Sequence, residues 1–267
     1  MKKTILVSLL IVLVLVFSGC TNNKKNNQTI KVASHMTPMT DVIKLAGEEL
    51  KKEGYRLELV QVNDNVQYNE LLKNKEVDAN FAQHEPYMKK YNSQKKANLV
   101  AVQKIYNAKV GFYSKKYKSI TDIPNGAKVA LPNDVSNEGR ALAILAEQGL
   151  IKLKKGVGFN GTSKDVIDNP KDLKWLFVDL LNLSETYNES DVALVYNYPT
   201  YIAKIGLKPS DAIFLEKNID ERFAISLVTR NDNQNTKKIE ALRKAMTSDR
   251  VRKYLIVNNK DTLLPAF

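Results

Sequence analysis

From Thr29 onward, short apolar runs alternate with stretches of helical periodicity, and that alternation restricts the chain to an α/β architecture with mostly parallel sheets. Residues 30–33, 56–62, 77–81, 99–103, 109–113, 127–131, 175–178, 191–195, 212–215 and 223–229 read as strands. Met39, Ile43, Ala46 and Leu50 fall on one helical face behind Thr37-Pro38, which predicts a helix with proline in its first turn. Further helices are expected over 68–75, 138–148, 200–204, 237–246 and 249–257. Two turn-rich stretches, 114–118 and 217–220, cut the chain into three blocks. The first and last can share one lobe, 30–113 plus 218–267, while 114–217 form another, giving two crossings between lobes. A chain of 267 residues is long enough for a core in each.

The first nineteen residues stand apart from this pattern. Lys2 and Lys3 precede residues 5–17, apolar apart from Ser8, and Ser18-Gly19 lead into Cys20. These are the parts of a signal peptide. Thirteen helical residues rise about 20 Å, short of a hydrocarbon core of roughly 30 Å, so a permanent span is the poorer reading. Small residues before a lone cysteine resemble the bacterial lipobox, with Phe17 where leucine is commonest. Residues 1–19 are therefore expected to be a lipoprotein signal and Cys20 the lipidated first residue; the alternative is an ordinary signal with an incidental cysteine. Residues 20–29 are polar and aperiodic, as a tether would be.

Lysine and arginine number 41 against 29 acidic residues, for a net charge of +12. An anionic bacterial envelope accounts for that charge as well as nucleic acid does, and the aromatics do not cluster on a basic strand face, so no nucleic-acid partner is expected. Catalysis has little to stand on. There are two histidines, His35 and His84, no H-E-x-x-H or G-x-S-x-G string, and no cysteine beyond Cys20 for a zinc site, so neither a metal nor a cofactor is expected. Residues 156–161 satisfy G-x-G-x-x-G, but a turn-rich segment follows where a dinucleotide site needs a packed helix.

Two segments carry recognition chemistry. In KVALPNDVSNEGRAL, residues 128–142, a strand passes through a polar loop to a helix that Ser136 or Asn137 can cap and whose first turn holds Arg140. Free amides and a guanidinium there suit a carboxylate; the alternative is that Arg140 pairs with a structural carboxylate. In VDANFAQHEPY, residues 77–87, Phe81, His84 and Tyr87 stand at the carboxyl end of a strand, where open α/β sheets bind ligands. His84 can equally be a hydrogen-bonding group at the helix start.

Those two segments, with GFYSKK at 111–116, LIKLKKGVGF from Leu150 and DNPKDLKW ending at Trp175, resemble in order the NlpA/MetQ family of methionine-binding lipoproteins, over essentially the whole mature chain. The resemblance implies a periplasmic-binding-protein-like (type II) fold with a ligand cleft between two α/β lobes. It implies a non-catalytic, lipid-anchored receptor facing outside the cytoplasm. That receptor delivers methionine, or a related small amino-acid or peptide ligand, to an ABC permease and its ATPase. An envelope adhesin or structural lipoprotein is the alternative. The resemblance makes Arg140 the carboxylate clamp, Phe81 and Tyr87 walls, and His84 a polar contact, with Asn137 and Asn197 as further contacts. The chain departs from the family pattern at residues 191–199, at Tyr68 where the family has proline, and at Phe223-Ala224-Ile225, where isoleucine replaces an amide.

Overall fold

The computed structural model describes residues 28–258 and 262–267; the expected signal over 1–19, the lipid-bearing Cys20 and the tether up to residue 27 lie outside the described residues. Strand β1 (Thr29–Ser34) is flanked in parallel by β2 (Arg56–Gln61) and β3 (Ala79–His84). Helix α1 (Met39–Lys52) joins β1 to β2 with Pro38 just ahead of it, and buries Met39, Val42, Ile43, Ala46 and Leu50, the expected stripe widened by Val42. Helix α2 (Gln67–Lys73) leads into β3, and α3 (Glu85–Lys95) connects β3 to the long strand β4 (Leu99–Ala108).

After Lys109 and Val110 the chain enters a second sheet with β5 (Gly111–Tyr113), β6 (Lys128–Pro132), helix α4 (Val135–Glu147), the small pair β7 (Lys152–Leu153) and β8 (Val166–Asp168), then β9 (Lys174–Val178), β10 (Val192–Asn197), the one-turn helix α5 (Pro199–Ile202) and β11 (Ala212–Leu215). It returns through residues 216–224 to β12 (Ile225–Arg230), helices α6 (Lys237–Met246) and α7 (Asp249–Asn258), and β13 (Leu263–Pro265). One sheet runs β13-β4-β12-β3-β1-β2 and the other β11-β5-β10-β6-β9. Among the described residues, no helix is long and apolar enough to cross a membrane.

Two expectations need correction. The sheets are mixed rather than mostly parallel: β12 lies antiparallel between β3 and β4, and β5 lies antiparallel between β10 and β11. β12 and β5 adjoin the two crossings, where the chain reverses direction to change sheets, and the C-terminal β13 adds a further antiparallel pairing to β4 at the sheet edge. For the same reason residues 109–113 are not one strand. The first crossing falls at Lys109-Val110, so Gly111–Tyr113, expected in the first lobe, belongs to the second sheet.

The G-x-G-x-x-G string is not a nucleotide loop. Residues 158–160 form a single 3-10 turn that packs against α4, where a Cβ on Gly139 would stand 2.2 Å from the Phe159 carbonyl oxygen. Gly139 is thus a close-approach residue, and the glycine-rich turn braces the helix that carries Arg140.

Candidate functional site

On the first lobe, the carboxyl end of β3 is shaped by a buried cluster of amides. Asn69 Oδ1 accepts from Asn80 Nδ2 at 2.8 Å and from Gln83 Nε2 at 2.6 Å, while Asn69 Nδ2 donates to Gln83 Oε1 at 2.9 Å. Asn80 Nδ2 also reaches the Tyr68 carbonyl at 3.3 Å. A buried polar cluster satisfied in this way is rigid, and it fixes α2 and hence Tyr68 against the end of β3. The Tyr87 hydroxyl donates to the Asn65 carbonyl at 2.7 Å, tying α3 to the loop before α2.

His84 caps α3: its Nδ1 accepts the Tyr87 N–H at 3.2 Å. The ring proton is therefore on Nε2, which donates across the lobes to Asn137 Oδ1 at 3.1 Å. Burial pushes this imidazole down to about 4; the Asn137 bond opposes that, and the nearby Arg140 charge adds to it. It is a neutral hydrogen-bonding group. On the second lobe Asp134, not Ser136 or Asn137, caps α4, its Oδ1 accepting the Asn137 N–H at 3.0 Å. Its Oδ2 accepts from Asn137 Nδ2 at 2.9 Å, which sets the amide so that Oδ1 faces both His84 and the Tyr198 hydroxyl, 3.3 Å away.

Arg140 lies one turn further along α4 and is fully buried. Its Nε donates to Glu216 Oε1 at 3.0 Å and Nη2 donates to Glu216 Oε2, a two-pronged pair. Nη2 also donates to the Ala108 carbonyl at 2.9 Å and Nη1 to the Tyr198 hydroxyl at 3.1 Å. The guanidinium carbon sits 4.5 Å from the Phe223 ring centroid. Burial works against its charge, yet Tyr198, Tyr196 and Glu216 together hold its pKa above the ordinary value. Ala108 ends the strand before the first crossing, and Glu216 and Phe223 lie on the second, so Arg140 binds both crossings to α4.

Between these groups lies a small buried chamber of about 20 Å³, lined from the first lobe by Asn65, Tyr68, Ala82, Gln83, His84, Tyr87 and Ile225, and from the second by Asn137, Leu180, Tyr198 and Tyr201. Two wider grooves of about 610 and 320 Å³ follow α3 where it faces Val135. Their charges are partly spent on surface pairs such as Lys89–Glu85 at 2.7 Å and Arg222–Asp220 at 2.9 Å. The buried chamber, where neutral polar groups from both lobes converge, is the candidate site.

The expected residues divide around it. His84, Tyr87 and Asn137 line the chamber. Phe81 does not: it packs edge-on against Tyr106 in the core, centroids 5.9 Å apart. The pairing of β3 with β12 slips between Ser226 and Leu227, leaving Ala82 without a partner, and residues 82–84 meet the chamber while Phe81 stays behind. Arg140 stands behind the chamber with its fork engaged by Glu216, so the structural-carboxylate alternative describes this geometry. Asn197 is buried outside the lining, its Oδ1 accepting the Tyr198 N–H at 2.9 Å and its Nδ2 unpartnered. The sequence reading missed Tyr198, Tyr201, Leu180 and Glu216. Two positions noted as departures, Tyr68 and Ile225, turn out to be walls.

With the site in view, the comparisons with known proteins are informative. Residues 30–267 match the model of the NlpA lipoprotein family. The D-methionine-binding lipoprotein MetQ of Salmonella typhimurium is 37% identical over 239 residues, covering 89% of this chain and 88% of that one. Among solved structures, a YaeC-family lipoprotein from Enterococcus faecalis superposes with a TM-score of 0.79 at 47% identity, covering 90% of this chain and 100% of the other. A nutrient-binding protein from Burkholderia cenocepacia, bound to methionine, gives 0.84 at 35% identity, covering 89% and 100%. A match that spans both lobes and both crossings, rather than one motif, places the chain in the NlpA lipoprotein family.

Proposed function

We propose that this protein is the substrate-binding receptor of an ABC importer, held on the outer face of a bacterial cell membrane through Cys20, and that it takes methionine or a closely related amino-acid or peptide ligand between its lobes for delivery to a permease and its ATPase. The observation that carries this reading is the chamber lined from both lobes by aromatic rings and neutral hydrogen-bonding groups. Binding sites for small molecules are usually about 300–1,000 Å³. A chamber of about 20 Å³ admits a ligand only when the lobes part, and closure follows if the ligand binds the closed arrangement better than the open one. The methionine-binding relatives support the ligand class. Ile225 presents hydrocarbon to the chamber, so the ligand's amine finds its partner elsewhere, and N-blocked methionine and short methionine peptides belong in the same panel as free methionine.

Calorimetry with that panel, and mass spectrometry of whatever small molecule accompanies the natively purified protein, test the proposal. Saturable binding of one methionine-class ligand, with a more compact scattering profile on saturation, is expected. No saturable binding of any panel member would overturn the receptor reading and favour an adhesin or structural lipoprotein.

A further inference from the structure

Buried polar atoms nearly always find a hydrogen-bond partner, so an imidazole with neither nitrogen engaged needs an explanation. His35, directly after β1, is 5% exposed, and neither Nδ1 nor Nε2 has a partner. Its backbone is fixed, the carbonyl accepting from Gln61 Nε2 at 3.1 Å. The ring lies 5.8 Å from Tyr68 and 5.9 Å from Tyr201, centroid to centroid. Both tyrosines line the chamber, and they come from opposite lobes. Parting the lobes withdraws Tyr201 and uncovers His35 to the cleft.

Three polar side chains at the chamber are committed within the protein: His84 to Tyr87 and Asn137, Gln83 to Asn69 and Asn80, Tyr198 to Arg140 and Asn137. His35 alone of these side chains has its full hydrogen-bonding capacity unused. Burial lowers its pKa to about 4; the Ala82 carbonyl pulls the other way without reaching hydrogen-bonding geometry, and the Lys204 charge adds to the lowering. The ring is neutral at physiological pH, one nitrogen a donor and the other an acceptor. The ammonium and carboxylate of an amino acid need charged partners, which an uncharged imidazole is not. A neutral ring boxed by tyrosines suits instead an uncharged, weakly polar atom at the far end of a ligand side chain.

We propose that His35 is a specificity-determining residue, its ring N–H donating to the thioether sulfur of a methionine-class ligand and so disfavouring the hydrocarbon isostere norleucine. This rests on the receptor reading above. The test is calorimetric titration of the full mature chain with L-methionine and L-norleucine, for the wild type, His35→Phe and His35→Gln. A hydrogen bond to a weak acceptor corresponds to roughly a three- to tenfold preference for methionine in the wild type. His35→Phe is expected to reduce that ratio to within about twofold without weakening norleucine, and His35→Gln, which keeps a donor, to restore part of it. A ratio unchanged in His35→Phe would overturn the role of His35 while leaving the receptor intact; a wild type that binds methionine no better than norleucine would do the same. A wild type that binds neither would overturn the role of His35, and the receptor reading with it if the N-blocked and peptide members of the panel also fail to bind. If His35→Phe does not fold, nitrogen NMR of the wild type decides, because the protein has two histidines to assign. A His35 ring N–H signal that differs between the methionine and norleucine complexes supports the contact, and identical signals overturn it.

Discussion

The lobes meet at two places built on opposite principles. At the crossings, Arg140 is charged, fully buried and bound to Glu216, Ala108 and Tyr198 by bonds of 3.1 Å or less. Across the chamber, the contacts are thin: His84 to Asn137 at 3.1 Å and Asn65 to the Asp179 carboxylate at 3.5 Å, with aromatic edges around them. The difference follows from what each must do in the receptor proposed above. Arg140 joins α4 to segments that act as a pivot, so its bonds can persist while the lobes move. The His84–Asn137 bond has to break each time the cleft opens. Strong contacts there would lock the closed state and leave a ligand nothing to tip.

The sharpest way to break this comparison is to remove one half of the pivot pair. Arg140→Ala or Glu216→Ala leaves an uncompensated buried charge, expected to cost about 3–5 kcal/mol in denaturant unfolding. The double variant is expected to lose much less than the sum, because neither charge is then stranded. If Arg140→Ala instead left unfolding unchanged while abolishing ligand binding, Arg140 would be a ligand clamp and the pivot assignment would fall.

Acid tests the other side. His84 and His35 both have pKa values lowered to about 4 by burial, below the usual 6.5, with Arg140 near the first and Lys204 near the second adding to the effect and Asp134 opposing it at His84. A lowered folded value means that the closed fold resists protonation. Its stability is complete above about pH 6.5 and declines as pH falls toward about 4. At pH 5 the loss is roughly 2 kcal/mol per imidazole. Opening returns both rings to water, so scattering should show the lobes parting between pH 7 and 5, with the pivot intact. A closed profile at pH 5 equal to that at pH 7 would contradict this, and His84→Gln should remove about half of the response.

How far the sequence anticipated these regions also differs between them. Helix α1 was legible because Met39, Ile43, Ala46 and Leu50 repeat at helical spacing, a local signal. Of the two turn-rich stretches, 217–220 lies on the second crossing, whereas 114–118 falls inside the second lobe and the first crossing at Lys109-Val110 is hidden in what reads as one strand. The partner of Arg140 was not legible, since Glu216 lies 76 residues away and an isolated glutamate carries no mark of its mate. Phe81 was expected at the site from its place near the end of a strand, but that end lies three residues further on, at His84, and the register slip beside Ala82 is a long-range feature of the pairing with β12. Tyr198 was passed over because 191–199 departs from the family pattern, and a departure shows difference without showing direction; Tyr201 falls in a stretch read only as a short helix.

The smallest expected effect separates helix capping from chamber geometry. Asp134 does two things: it caps α4 through Oδ1, and through Oδ2 it holds the Asn137 amide with its oxygen toward His84. Asp134→Ala removes both and should lower stability by about 1 kcal/mol along with ligand affinity. Asp134→Asn separates them. Asparagine caps about as well as aspartate, so unfolding should change by no more than a few tenths of a kcal/mol. Its NH2, however, would face the NH2 of Asn137. Turning the Asn137 amide relieves that clash only by pointing a donor at the His84 Nε2–H, turning the introduced amide relieves it only by aiming its NH2 at the Asn137 backbone N–H and giving up the cap, and His84 cannot change tautomer while Nδ1 accepts from Tyr87. The conflict exists when the lobes are closed and vanishes when they part. Asp134→Asn should therefore weaken ligand binding by roughly fivefold, the worth of one neutral hydrogen bond, with folding almost untouched. Equal losses of stability and affinity in this variant would show that closing the cleft and folding the second lobe are one process, and that the two meeting places are not independent.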